Sequence, residues 1–487
     1  MNRPHWLERG MKLLRSKLDQ PTKPEALKVD EDRSTRERID ASLKHREEAL
    51  SPRSLRKILS QLNDIIDSKV SEIEGGRRAK VFAKWYELSL PEVRLDVWLL
   101  MSEHFGPDAK KVMSAKEEYT QAFGTQEEGA AEIKLRRSLV SPRTRLFQRF
   151  AAFDGGLTFL LSVRAELIPH LKTNKRLVAL DAELENLFST WLDVAFLELK
   201  RLSWDSPASL IEKLIQYEAV HDIRSWADLK NRLDSDRRCY GFVHPNLPNE
   251  PLIFVEVALL GELANSITPL LDENAAPENL QKATAAIFYS ISNTQAGLRG
   301  VGFGDSLIKR VVQVLKDEFP KLKTFATLSP IPGFKPWATK NMDSLLARAG
   351  DKQTKALQKS LGLAELNGAE LIKAIDAMED LSENAVLESF LKQAAAVYLG
   401  QTLLDGHPLD SVAKFHLHNG ARVERINWCA DPSIKGYKQS WGIMVNYLYD
   451  LDVIEKNHEA FAHSGEIAAS RQVRNLVRKR PSAPARS

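Results

Sequence analysis

At 487 residues the chain exceeds what one ordinary hydrophobic core organises, and two or three domains are expected. Its composition, 43% hydrophobic and 28% charged, is that of a globular protein, and 69 Lys and Arg against 65 Asp and Glu leave a net charge of only +4. That excess excludes a dedicated nucleic-acid binder while leaving room for a local anion pocket, and two cysteines, Cys239 and Cys429, exclude a disulfide framework and any Cys/His zinc spacing.

Residues 20–50 are rich in charge and lack apolar periodicity, and residues 1–50 read as a mobile lead-in. Within them Arg9, Lys12, Arg15 and Lys17 form a short basic amphipathic stretch, but Glu8 and Asp19 are atypical of an organellar presequence. From Ser51-Pro52, a cap and first-turn pair, Leu55, Ile58, Leu62 and Ile65 make one apolar helix face, and Gly75-Gly76 is expected to end that helix. Pro91 opens the next helix and Gly106-Pro107 stops it. Helical patterns follow over about 108–123, 142–153, 157–172 and 177–200, so an all-helical bundle domain over 51–203, suited to oligomerisation, is expected.

Ser206-Pro207 opens a further helix, and the pattern then changes. β-rich runs occur at Cys239–Val243, Leu252–Leu259, Ala285–Ile291, Thr324–Leu328 and Arg422–Trp428, separated by helical stretches. The fold class expected is α+β: a helical bundle, then a mixed α/β domain over 204–470 with a helical insertion at about 341–404. The basic, proline-containing tail over 471–487 is expected to be disordered. The longest apolar run, Leu252–Leu271, is broken by Glu256 and Glu262 and falls short of the roughly 18 apolar residues of a span, so no membrane partner is expected.

The most informative segment is a strand pattern ending near Thr294, a glycine-rich turn, and a helix with Leu307, Val311 and Leu315 on one side. Such a turn binds phosphate, because glycine lets the backbone approach closely and unpaired N–H groups at the helix start point at the anion. The spacing is neither a P-loop nor a full dinucleotide fingerprint. Arg299, Gly302 and Gly304 do match Arg-x-x-Gly-x-Gly, which resembles the coenzyme A diphosphate signature of the GNAT acyltransferase fold. That likeness implies that Arg299, Gly300, Val301, Gly302, Phe303, Gly304 and Asp305 hold the diphosphate, in a GNAT-like catalytic domain.

Three longer segments resemble the malonyl-CoA decarboxylase family. They are Phe288-Tyr289-Ser290-Ile291-Ser292-Asn293-Thr294-Gln295 running into the glycine turn; Leu328-Ser329-Pro330-Ile331-Pro332-Gly333-Phe334; and Phe415-His416-Leu417-His418-Asn419-Gly420-Ala421 with Asn446-Tyr447-Leu448-Tyr449. The resemblance spans about 220–450 and implies that Ser329 and His416 are the catalytic pair, both also touching substrate. Read without it, Ser329 is a turn residue before a proline and His416 a satisfied polar residue. On a strand, His416 and His418 would share a face, but no third metal ligand lies near in sequence, and no metal is expected.

Malonyl-CoA carries its carboxylate β to a thioester, whose carbonyl takes up the electrons left as CO2 departs. No cofactor is therefore expected, coenzyme A being part of the substrate and acetyl-CoA the product. His416 would then protonate the enolate carbon while Ser329 binds the malonyl group and positions His416, or Ser329 would relay the proton. Asn446, Tyr447 and Tyr449 are candidates for closing the pocket, or are simply aromatic core packing. The alternatives are a GNAT-type acyl-CoA-dependent acyltransferase, a thioesterase, for which Ser329 lacks the GxSxG elbow, and a non-catalytic scaffold. The terminal Ala485-Arg486-Ser487, unlike the Ser-Lys-Leu type of animal members, implies a bacterial-style cytoplasmic enzyme, and the family likeness implies a homo-oligomer, dimer or tetramer.

Overall fold

The computed structural model describes residues 50–193, 196–301, 306–401, 403–404 and 406–477. The charged lead-in, its amphipathic stretch, Gly302–Asp305 and the tail from 478 onward lie outside the described residues. The chain divides into two compact units. One runs to Trp191 and also includes Gln295–Val301; the other takes Leu192–Thr294 and the chain from Gly302 onward.

The first unit is helical: α1 (Pro52–Ile66), α2 (Glu72–Glu87), α3 (Pro91–His104), α4 (Ala109–Ala122), α5 (Glu128–Leu139), α6 (Pro142–Ala151), α7 (Gly156–Leu167) and α8 (Val178–Trp191). Ser51 and Ser71 cap α1 and α2 by accepting from Ser54 N and Glu74 N, each satisfying a backbone donor that the helix leaves unpaired. Gly75-Gly76 does not end a helix, contrary to the expectation. Both lie inside α2, where the Arg149 side chain fills the space a Cβ at Gly75 would take and Ala152 packs at Gly76. Close helix packing, not a break, accounts for the pair. α5 was not foreseen because it buries no residue and so has no apolar stripe to read. Arg164 is buried, and its guanidinium bonds Asp181 (2.8 Å), Glu185 (2.9 Å) and the Gly297 carbonyl (2.8 Å), tying Gln295–Val301 into this unit. Among the described residues no helix is long and apolar enough to cross a membrane.

The helix expected to reach 200 stops at Trp191, and Glu198–Leu202 is a strand, β1. Its residues favour helix in isolation, but backbone pairing with β2 overrides propensity. β1, β2 (Arg237–His244), β3 (Leu247–Leu260), β4 (Ala285–Asn293), β5 (Thr324–Thr327), β6 (Ser329–Pro330), β9 (Arg422–Asn427) and β10 (Met444–Leu448) make one sheet, in the order β1-β2-β3-β4-β5-β10-β6 with β9 on the other side of β10. Among the described strands of this sheet, only the β4–β5 ladder is parallel. β7 (Leu403–Leu404) and β8 (His407–Pro408) form a separate two-stranded ladder.

α9 (Ala208–Tyr217) and α10 (Trp226–Arg232) cover β1–β3 through Ile211, Leu214, Leu229 and Phe254. α11 (Ser306–Glu318) buries Leu307, Ile308, Val311, Val312 and Leu315, the stripe expected of it. The insertion folds as α12 (Phe334–Ala349), α13 (Asp351–Ser360), α14 (Gly368–Ala377) and α15 (Ala385–Gln401). After it come α16 (Ser411–His418), α17 (Ile434–Ser440), α18 (Ile454–Ser464) and α19 (Arg471–Val477). The expectation of disorder from Arg471 fails over α19: Ser470 Oγ accepts from Val473 N and donates to the Glu424 carbonyl, and Val473 is buried. One anchoring valine was hidden by the surrounding basic charge. The fold class is as expected, a helical region followed by a mixed α/β domain.

Candidate active site

The site lies within the second unit, where β4 and β5 part. Their ladder ends at Phe288 paired with Thr327, and Leu328 N–H still donates to the Phe288 carbonyl (2.9 Å). Ser329 then pairs with Val445 of β10 instead. On β4 the register against β3 shifts at Glu256/Val257, leaving Tyr289 as a bulge residue beside the parting.

Ser329 sits on this short β6, almost fully buried, and its hydroxyl donates to Thr327 Oγ1 (2.8 Å). His416 stands on the last turn of α16, which Asp410 caps, and its Nε2 lies 3.2 Å from Ser329 Oγ. Its Nδ1 lies 2.6 Å from the Tyr449 hydroxyl, and its ring stacks on Tyr447 at 4.6 Å between centroids. Two backbone bonds hold these tyrosines in place, Tyr447 N–H to Thr327 Oγ1 (3.1 Å) and Tyr449 N–H to the Phe325 carbonyl (2.8 Å).

One hydrogen assignment satisfies every partner. With the Ser329 proton on Thr327, Ser329 Oγ accepts from His416 Nε2–H, and Nδ1 accepts from Tyr449 O–H. The order of donation is Tyr449, His416, Ser329, Thr327. Burial pulls the His416 pKa down to about 3 and pushes that of Tyr449 well up, so both groups are neutral around pH 7. Imidazole nitrogen NMR should therefore show a neutral Nε2–H tautomer for His416 from about pH 5 to 8, where a free histidine would titrate near 6.5. A His416 signal titrating inside that window would contradict the assignment.

The structure thus brings together Ser329, His416, Tyr447 and Tyr449. The aromatic run lies on β10, with Tyr449 just beyond its end, and the Tyr447 hydroxyl is fully buried with no hydrogen-bond partner among the described residues. Asn446 faces the other way. Its amide donates to the carbonyls of Thr327 (2.7 Å) and Ala264 (3.0 Å), and its oxygen accepts from Asn427 (2.8 Å) and Arg425 (3.2 Å), so it braces β10 against the neighbouring strand. His416 and His418 do not share a strand face, because their segment is helical; His418 turns to His458 and Phe461. Arg299, exposed, Gly300 and Val301 belong to the first unit, where Gly300 takes a left-handed φ of 86° next to Glu185. Gly302, Phe303, Gly304 and Asp305 are outside the described residues. Sequence reasoning missed Thr327, although it precedes Ser329 by one strand period and so shares its face.

Residues 105–192 match the family described as malonyl-CoA decarboxylase N-terminal domain, and 195–486 match the malonyl-CoA decarboxylase C-terminal domain. The mitochondrial malonyl-CoA decarboxylase of Anser anser anser is 35% identical over 437 residues, covering 82% of this chain and 83% of the relative. That of Rattus norvegicus is 36% identical over 400 residues, covering 77% and 80%. Crystal structures of malonyl-CoA decarboxylase from Rhodopseudomonas palustris (TM-score 0.76, 38% identity, 86% of this chain and 99% of that one) and Cupriavidus metallidurans (0.70, 41%, 87% and 100%) share its fold.

Proposed function

The chain belongs to the malonyl-CoA decarboxylase family, and from that premise we propose that it converts malonyl-CoA to acetyl-CoA and CO2 at the Ser329–His416 pair. The observation that carries the reading is the buried, neutral chain of donors running from Tyr449 through His416 to Ser329.

The bond between the carboxylate and the α-carbon breaks, CO2 leaves, and the electron pair passes through the α-carbon to the thioester oxygen. Ser329, turning its hydroxyl from Thr327 to the malonyl group, stabilises that developing oxyanion in a site shielded from water, where such a bond is worth most. His416 then gives its Nε2 proton to the enolate carbon. As it does, Tyr449 hands its own proton to Nδ1, so the imidazole ends neutral. The Tyr449 oxygen takes up a proton from water in its place, which discharges the charge that entered as the carboxylate. Burial disfavours an imidazolium and a lasting tyrosinate alike, so the solvent proton has to arrive as the Tyr449 proton leaves.

The parting of β4 and β5 supports placing the pantetheine arm there, where strand edges no longer joined to each other offer backbone partners to an extended amide chain. For the diphosphate we propose the segment 299–305 on its sequence alone, the Arg-x-x-Gly-x-Gly pattern of Arg299, Gly302 and Gly304. Exposed Ile73, Leu88, Leu90 and Phe123 on the helical unit support self-association.

Incubation of the purified chain with malonyl-CoA should release CO2 and acetyl-CoA, and exhaustive dialysis against a chelator should leave the rate unchanged, because the thioester is itself the electron sink. Malonate with free thiol, or an acylated amine, would replace this reading by hydrolysis or acyl transfer. Activity lost on dialysis and restored by one metal would show that the electron sink needs an added Lewis acid.

A further inference from the structure

The two reactive side chains reach the site on separate arms. Ser329 opens the segment that leads through Pro330 and Pro332 to Gly333, the N-cap of α12. His416 stands on the last turn of α16, whose N-cap is Asp410. Each arm leaves helical N–H groups needing acceptors at its start, and one buried carboxylate serves both. Asp410 Oδ1 accepts from Val412 N–H and Ala413 N–H (both 3.0 Å), fixing the first turn of α16. Its Oδ2 reaches across to Gly333 N–H (3.3 Å) and to the Tyr398 hydroxyl (3.5 Å). The junction is close-packed: a side chain at Gly333 would run into Tyr398 Oη, and Asp410 and Tyr398 are each 2% exposed. A simple helix cap needs only one oxygen and no burial.

We propose that Asp410 is a positioning residue, a buried clamp whose second oxygen sets the Ser329 arm against the His416 helix. This rests on the Ser329–His416 reading and adds what holds the pair at bonding distance. No other hydrogen bond described between the two arms joins them, apart from the Ser329–His416 contact itself. Small displacements between reacting groups have large kinetic effects, so loss of the clamp appears in turnover and leaves the coenzyme-binding part of the substrate alone.

The test separates the clamp from the cap. Asp410→Asn keeps an oxygen for the cap but turns an N–H₂ toward Gly333 N–H; Asp410→Ser, also a favoured cap, has no second arm at all. Both should unfold near the wild-type temperature, keep KM for malonyl-CoA, and lose kcat by roughly 10- to 100-fold. In a His416→Asn background, adding Asp410→Asn should lower kcat no further, because the clamp acts only through the pair. Should Asp410→Asn lose its fold, Asp410→Ser carries the same comparison. Wild-type kcat in both capped variants would reduce Asp410 to an ordinary cap and overturn the proposal. So would a kcat loss undiminished in the His416→Asn background, which would mark general damage. Normal turnover in His416→Asn alone would instead sink the underlying pair, and is read from that single variant.

Discussion

Ser329→Ala and His416→Asn should each lower kcat by roughly 10²- to 10⁴-fold, the range for a positioned proton donor or oxyanion donor, with the fold intact. Both residues are nearly fully buried, and each change leaves few groups unpaired: Thr327 Oγ1 keeps the Tyr447 N–H in Ser329→Ala, and the Tyr449 hydroxyl keeps an acceptor if the new amide oxygen of His416→Asn faces it. The double variant should be little worse than the worse single one, since the two groups share one hydrogen bond and fail as a unit. Tyr449→Phe should show a smaller loss of the same kind, because it removes only the replacement proton behind Nδ1. Single-turnover measurements at saturating malonyl-CoA check all four. Near-normal turnover in either single variant would remove that residue from the chemistry, and additive losses would give the two residues independent roles.

Arg232→Met should destabilise the second unit by about 3–5 kcal/mol, the cost of stranding buried charge. Its guanidinium is fully buried and bonds Asp228 (2.7 and 3.3 Å), Glu256 (3.1 Å) and the Asp222 carbonyl (3.4 Å). Glu256 is also fully buried, and burial, with Glu218 nearby, already pushes its pKa up to about 8. A carboxyl raised above its unfolded value stabilises the fold at low pH, where it keeps its proton. That contribution is lost as pH rises toward the folded pKa. Arg232 holds the value down, so the variant should carry a higher one and go on losing stability where the wild-type loss has levelled off. The deficit against wild type should therefore stay nearly constant from pH 5 to pH 7 and widen above about pH 8. At about 2–4 °C per kcal/mol, thermal melting should drop by about 10 °C. A drop of a degree or two, or a deficit that narrows with pH, would show that the cluster tolerates an apolar replacement.

How much of this was legible in the sequence depended on whether a residue's partners were local. The face Leu55–Ile65 and the stripe Leu307–Leu315 repeat at helical spacing and fold as read. Glu198–Leu202 and Met444–Leu448 become strands through pairing with distant segments, which no window around them contains. The strand on which His416 and His418 would share a face does not form, because Asp410 before Ser411-Val412-Ala413 is a helix start that no apolar stripe announces. Ser329 and His416 stood out only through family resemblance, since their bond joins segments far apart in the chain. Thr327, Tyr449 and Asp410 owe their importance to contacts that exist only once the sheet and α16 are assembled.

The Arg164–Gly297 bond has a bearing on how the protein is made. Synthesis delivers α1–α8 first, yet the bundle to which Gln295–Val301 belongs is incomplete until roughly a hundred further residues have left the ribosome. Until then Arg164 lacks its carbonyl partner, and the slot beside Leu161, which only a glycine fits, stands open. The helical half is therefore begun early and finished late. A gene cut at Trp191 would yield two fragments, each deprived of something: one of its last strap, the other carrying that strap with nothing of its own to fasten it to.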